Sequence, residues 1–412
     1  MSHQSQRYFA EQVVQRLRSV GYEALWAGGC VRDTLRGVQP KDYDVATSAR
    51  PEEVKKLFRR TLMVGAKFGV VVVLGPQTQV EVATFRCDLG YQDGRRPGRV
   101  IYSDAKQDAL RRDFTINGMF YDPLEDKVID YVGGKTDLRR KIVRAIGQPR
   151  NRFAEDHLRM LRAVRFACTL GFALEDNTAK AIRSQAKKIE RISVERIAEE
   201  LLGILQSPGR AEGITLAGEL GLLKVILPEV NYVKAAQRLK RLGGTSGLAG
   251  LACLLYDLDR KDSPEQSGDK AKAICRRLKL SNQLVRQTGW LVETAKSLVT
   301  ERSRGSEISL ARLKTLLASG NFDELLLLYR AVASERAYRQ LRSRARQIDP
   351  KKVSPKPFIT GQDLLTMGIR PGPQMGKCLA AAYEAQLEET VKTKAQARKF
   401  VREWLSHSQP DA

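Results

Sequence analysis

Residues 24–47 read ALWAGGCVRDTLRGVQPKDYDVAT, and this stretch decides the fold. Ala24–Ala27 is a short apolar run of strand length. Gly28-Gly29 follows, a pair that lets the chain turn sharply and lets its backbone approach a ligand closely. Cys30 to Arg36 then reads as a short helix, ended by Gly37. Asp42 to Ala46 reads as a second strand. Side chains alternate along a strand, so Asp42 and Asp44 fall on one face with Cα atoms ~6.8 Å apart. Two carboxylates so placed can hold two divalent ions about 3.5–4 Å apart, as phosphoryl and nucleotidyl transfer require. A D-x-D pair alone is weak evidence, because most such pairs are solvated strand ends. Here turn, helix start, Arg32 and D-x-D fall within 17 residues. Gly28, Gly29 and the N–H groups of the helix start suit anionic oxygens, and Arg32 adds a forked donor for a triphosphate.

Outward from this core, Gln4 to Val20 reads as a helix with Phe9, Val13, Val14 and Leu17 on one face. Pro51-Glu52-Glu53 opens another, with proline and acids in its first turn. Gly69 to Leu74 is a valine-rich strand of the kind buried on both faces. Val80 to Phe85 and Lys127 to Tyr131 read as further strands. From about Asn151 helical periodicity takes over and strand signals vanish. Breaks fall at Ser207-Pro208-Gly209, Leu242 to Gly250, Asp262 to Gly268 and Asp349 to Pro357. The plan is an α+β chain: a head mixing strands and helices, then an all-helical remainder.

Composition narrows the function classes. The chain has 412 residues, 42% hydrophobic and 29% charged, with a net charge of +24. At roughly 100–200 residues per domain this is two to four domains. So large a positive surplus calls for a polyanion, nucleic acid or an anionic membrane. The apolar runs fall far short of the ~20 residues of a spanning helix. The N-terminus lacks the apolar core of a signal peptide, so a cytosolic location without membrane attachment is expected. Six scattered cysteines without a CxxC pair argue against a zinc ribbon or a disulfide framework. With His3, His157 and His407 the only histidines, carboxylates and basic residues must carry any catalysis. Nothing in the sequence specifies an oligomeric state.

Three more clusters carry chemistry. Glu81 is an acid in the apolar run 80–86, either a third carboxylate near the metal and attacking hydroxyl or a solvent-facing strand position. In Arg111 to Asn117, arginines suit a triphosphate, while Asp113 and Asn117 suit a ribose or a local turn. For this segment alone, a salt-bridge network at a helix start is the stronger reading. Glu155 to Phe166 reads as one helix, with Asp156 and Arg159 as i,i+3 neighbours. Such a pair is ordinarily a stabilising ion pair. It also matches the edge shared by adenine and cytosine, accepting from the exocyclic amine and donating to the ring nitrogen. Uracil and guanine present the opposite pattern there.

Taken together, GGCVRDTLRGVQPKDYDVAT, VEVATFR, DGRRPGRVIYSDAKQDALRRDFTINGMFYD, IDYVGG and AEDHLRMLRAVRFACTLGF, in that order, resemble the class II tRNA nucleotidyltransferases (CCA-adding enzymes) and the related bacterial poly(A) polymerases. The motifs span roughly residues 24–172. The resemblance implies a polymerase-β-like nucleotidyltransferase head (1–147), then helical neck (148–210), body (211–348) and tail (349–412). It implies that Asp42 and Asp44 bind two Mg²⁺ and that Gly29, Arg32 and Arg112 hold the incoming nucleotide. Asp156 and Arg159 become a protein template selecting CTP and ATP, supported by Arg162 and Arg165. The family assigns Glu81 no strong role. Gly118 departs from the alanine usual after TIN. The implied activity is CCA addition to the 3′ end of tRNA. Poly(A) synthesis, CC-only or A-only addition, and an inactive RNA-binding protein on the same fold are the alternatives. The DGRRP segment and the compact tail favour CCA addition.

Overall fold

A helix with a buried stripe opens the chain. In α1 (His3–Arg18), Ala10, Val13, Val14 and Leu17 recur at helical spacing and are buried. They pack on a seven-stranded mixed sheet built from β1 (Ala24–Ala27), β2 (Asp44–Thr47), β3 (Thr61–Leu62), β4 (Val70–Leu74), β5 (Gln79–Thr84), β8 (Phe120–Asp122) and β9 (Lys127–Ile129). The strand order is β3-β4-β5-β2-β1-β8-β9, with β2 and β5 parallel and the other pairs antiparallel. A separate hairpin, β6 (Arg86–Tyr91) and β7 (Pro97–Tyr102), leads into helix α4 (Ala105–Arg111). The computed structural model describes residues 3–63, 69–91, 97–259 and 261–408. The DGRRP segment lies largely outside the described residues.

The register sorts core from site. Trp26, Val45, Val82 and Val71 are partners across four strands and lie in the core under α1. One residue along, Ala27, Asp44, Glu81 and Val72 form the next row and, by the period of two, project to the opposite face. Tyr43 turns its ring into the core against Trp26, 4.7 Å between centroids. Its neighbours Asp42 and Asp44 are left on the other side.

Two compact units follow from the contacts, Met1–Ala236 and Gln237–Ala412. In the first, α2 (Gly29–Leu35) leaves β1, α3 (Pro51–Leu57) follows β2, and α5 (Gly134–Arg140) follows β9. Helices α6 (Pro149–Glu155), α7 (Leu158–Leu170), α8 (Asp176–Gln185) and α9 (Val194–Gln206) come next. In the second unit, Lys314 of helix Leu310–Ala318 is buried, its side chain 3% exposed. Its Nζ donates to the Leu387 carbonyl at 2.8 Å and pairs with Glu389 at 3.0 Å. In return, Glu388 accepts the Ala311 N–H at 2.7 Å. The start of one helix and the end of Pro373–Leu387 thus cap each other.

Several expectations need correction. The second strand is Asp44–Thr47, not Asp42 to Ala46. Ala27↔Asp44 is the last pair, because Gly28 (φ 76°, ψ −131°) swings the partner chain away. Strand structure does not vanish after residue 151: Ala173–Leu174 (β11) pairs in parallel with Ile142–Val143 (β10). Gly268 is no break but lies inside helix Pro264–Arg277. A Cβ there would stand 3.0 Å from the Gly289 carbonyl, so glycine permits close helix packing. Residues 155–166 are not one helix: α6 ends at Glu155 and α7 starts at Leu158. Asp156 is extended between them (φ −145°, ψ 105°), and its carboxylate accepts the Leu158 N–H at 3.0 Å. Capping the next helix outweighs continuing the last.

Candidate active site

A cavity of about 590 Å³ in the first unit gathers the residues singled out by sequence. Gly28, Gly29, Arg32, Asp42, Asp44, Arg112, Asp113, Asn117, Asp156, Arg159, Arg162 and Arg165 all line it. Glu81 does not line it but lies beside Asp44 in register on the neighbouring strand. Arg111, Phe166 and Arg196 complete the wall.

The acidic end is held together against repulsion. Burial, then the charges of Asp42 and Glu81, push the Asp44 carboxyl up to about 7, with Arg112 acting in the opposite sense. Glu81 is solvent-exposed, as the plainer of its two sequence readings expects, and its charge still acts on Asp44 from the adjacent strand. Such a concentration of negative charge suits a divalent cation. Among the described residues, no three His, Cys, Asp or Glu side chains converge to hold a metal by themselves. Magnesium does not need them to, since it is commonly held by one or two carboxylates plus substrate phosphates and water.

The basic end is organised by acids that the sequence reading overlooked. Asp108 of α4 binds Arg111 at 2.6 Å and Arg112 at 2.9 Å and accepts the Arg86 N–H. Its side chain is 1% exposed. Burial alone would raise its pKa, but the two guanidiniums hold it below the ordinary value. The i,i+3 and i,i+4 spacing was visible in the sequence, yet helix-start acids of that kind are commonplace. Glu200 of α9 is the second such acid, bound to Arg165 at 2.5 Å and Arg162 at 3.3 Å. The network continues through Arg162 to Asp113 (2.8 Å), Asp113 to Asn117 (3.3 Å) and Asn117 to Arg32 (2.8 Å). Burial opposes ionisation of Asp113, but Arg162 holds its pKa low. Asp113 also accepts the Phe114 N–H, so it fixes the turn Thr115–Asn117.

The side chains of Asp156 and Arg159 are not ion-paired with each other, contrary to the ordinary reading of their spacing. Asp156 binds Arg196 of α9 at 2.8 Å, and Arg159 binds Glu155 at 2.6 Å. The break at Asp156 frees it from the helix and sets it within reach of Arg196. Both residues still line the same cavity. Gly118 also has a local cause: a Cβ there would stand 2.9 Å from Ile146 and Val132 side chains, closer than packing allows.

Comparison with known proteins places the chain. The Poly A polymerase head domain model matches residues 24–144, and a tRNA nucleotidyltransferase domain 2 model matches 262–401. Residues 171–234 match the "probable RNA and SrmB- binding site of polymerase A". A CCA-adding enzyme of Lacticaseibacillus paracasei is 35% identical over 89% of this chain and 88% of its own. One from a Geobacillus strain is 33% identical over 96% and 95%. The crystal structure of the Bacillus stearothermophilus CCA-adding enzyme in complex with CTP superposes with a TM-score of 0.79 at 29% identity, covering 99% of this chain and all of that one. At 33–35% identity over most of both chains, these relatives settle the family: the chain belongs to the CCA-adding enzymes.

Proposed function

We propose that this protein adds CMP, CMP and then AMP to the 3′ end of tRNA, using CTP, ATP and Mg²⁺ and releasing pyrophosphate. The observation that carries the reading is a single cavity joining the Asp42/Asp44 pair to the arginine set and to Asp156 and Arg159. Asp42 and Asp44, with Glu81 beside them, are the donors that would hold magnesium. Bound there, it would favour attack by the 3′ hydroxyl and steady the triphosphate. Arg32 and Arg112 neutralise the triphosphate, and the Gly28-Gly29 turn lets the backbone approach it. Asp156 and Arg159 read the base edge, Arg196 and Glu155 hold them in place, and Arg162 and Arg165 close the wall. In this reading residues 1–147 perform the transfer, 148–210 choose the base, and 211–348 and 349–412 hold tRNA, in the cytosol. No described helix is long and apolar enough to cross a membrane.

The deciding experiment incubates the purified protein with tRNAs ending in N, NC or NCC, each with one nucleotide at a time, and sequences the product ends. Stepwise C, C, A with termination is the expected result. Repeated A addition would identify a poly(A) polymerase, a single C or A step a partial enzyme, and no incorporation an RNA-binding protein.

Base choice supplies a finer test. Asp156→Ala removes the acceptor for the exocyclic amine and leaves Arg196 without this partner. Discrimination against UTP and GTP is expected to weaken by about 1–3 kcal/mol, the size of one good base-edge contact. Relative kcat/KM for the four nucleotides is the measurement. Unchanged ratios in a destabilised protein would reduce Asp156 to a helix cap.

tRNA affinity is expected to fall steeply between about 50 and 200 mM salt as phosphate contacts release counterions. Helix Glu335–Gln347 exposes Arg336, Arg339, Arg342 and Arg346, and Arg339 pairs with Glu335 at 2.8 Å. A filter-binding curve flat across that range would remove the electrostatic surface from the model of binding.

A further inference from the structure

Seven of the fifteen residues lining the cavity are arginines, and one aromatic ring, Phe166, stands among them. Like charges so close repel, and something must gather them. Carboxylates do part of this: Arg32 binds Asp33, Arg162 binds Asp113 and Arg165 binds Glu200. Each such pair occupies some of an arginine's N–H groups and offsets part of the charge that a phosphate would seek, leaving the rest available. The ring of Phe166 works differently. The guanidinium carbons of Arg165, Arg162 and Arg32 lie 4.5, 5.2 and 5.6 Å from its centroid. An aromatic face attracts a cation through its quadrupole without consuming an N–H or neutralising the charge. Two of these arginines share α7 with Phe166, while Arg32 stands on α2, so the ring ties the two helices together. Phe166 is itself fixed, buried and set edge-on to Phe114 at 5.6 Å and 74°.

We propose that Phe166 is a positioning residue for the nucleotide's phosphates: its ring holds Arg32, Arg162 and Arg165 as one cationic wall before the triphosphate arrives. This rests on the reading of the cavity as the nucleotide site. Without the ring, three guanidiniums must be ordered and brought together at the expense of binding.

The test uses the full-length protein with phenylalanines carrying one, two or three fluorines at position 166. Size changes little, while the ring face loses negative character step by step. Phe166→Met supplies an apolar side chain with no ring. Calorimetry measures Kd for CTP and for inorganic tripolyphosphate with Mg²⁺, steady-state kinetics gives KM and kcat for CMP addition, and Tm reports stability. The expected result is a stepwise rise of Kd and KM, reaching on the order of tenfold for the trifluoro ring and for Phe166→Met, with kcat and the fluorinated proteins' Tm nearly constant. Values of Kd and KM that stay flat across the fluorinated series would overturn the proposal and make the ring ordinary packing. Should the unmodified protein bind CTP yet add nothing to tRNA, the functional reading fails, and the tripolyphosphate series still decides the role of the ring.

Discussion

Asp44→Asn is expected to abolish nucleotide incorporation while making the metal-free protein more heat-stable at pH 8. The loss follows from removing a carboxylate that would hold magnesium, with several kcal/mol of transition-state stabilisation gone, on the order of 10³-fold or more in kcat. The gain follows from electrostatics. Burial and the neighbouring charges of Asp42 and Glu81 raise the folded-state pKa of Asp44 to about 7, against an ordinary 3.8. For a carboxyl so raised, its contribution to stability is intact below the ordinary value and is lost as pH rises through about 7. Asparagine carries no charge at any of these pH values. The Tm advantage of the variant in EDTA should therefore grow from pH 5 to about pH 7 and then level off. Near wild-type turnover with Mg²⁺ would remove Asp44 from the metal site. A folded, hyperstable, inactive protein would display the trade between stability and activity expected at such a site.

The second large effect belongs to Asp108. Asp108→Asn leaves Arg111 and Arg112 without their shared counter-charge at a site where the carboxylate is almost wholly buried. Removing one partner of a buried pair costs about 3–5 kcal/mol. Activity should fall too, because Arg112 loses the carboxylate that aims it into the cavity. The folded Asp108 carboxyl is held below its ordinary 3.8, so its contribution is present above that value and lost as pH falls through the depressed one. Urea unfolding at pH 7 should show the full deficit, and at the lowest pH where the fold persists the difference should narrow. Equal stabilities at pH 7 would mean that Asp108 does not anchor the arginines.

Why the site was legible and parts of the fold were not is a matter of local signal. Ala24–Ala27 and the valine-rich strand stood out because apolar runs bounded by glycine have few other readings. The hairpin strands RCDLGY and PGRVIY hold no unbroken apolar run and carry Asp, Gly and Pro, which strands disfavour, and Phe120–Asp122 is only three residues long. Apart from Arg196, the cavity-lining residues stood out because they fall in three compact motifs, 28–44, 111–117 and 156–166. Glu200, Arg196 and Asp108 escaped because they act through other side chains. Two of them reach across from α9, about forty residues from the groups they hold. The break at Asp156 was hidden for the opposite reason: its neighbours all favour helix, and one carboxylate accepting the Leu158 N–H is enough to stop it.

The clasp between Lys314 and the end of helix Pro373–Leu387 bears on how this protein is made. Lys314 and its acceptor carbonyl on Leu387 are 73 positions apart. At about 5–20 residues per second, the ribosome needs roughly 4–15 s to deliver the second after the first. During that interval the lysine has no interior to enter, and the N-terminus of its helix lacks the Glu388 cap. The second unit is thus expected to close late in synthesis, with nascent chains stalled before residue 388 cut faster at this edge in limited proteolysis than the released protein.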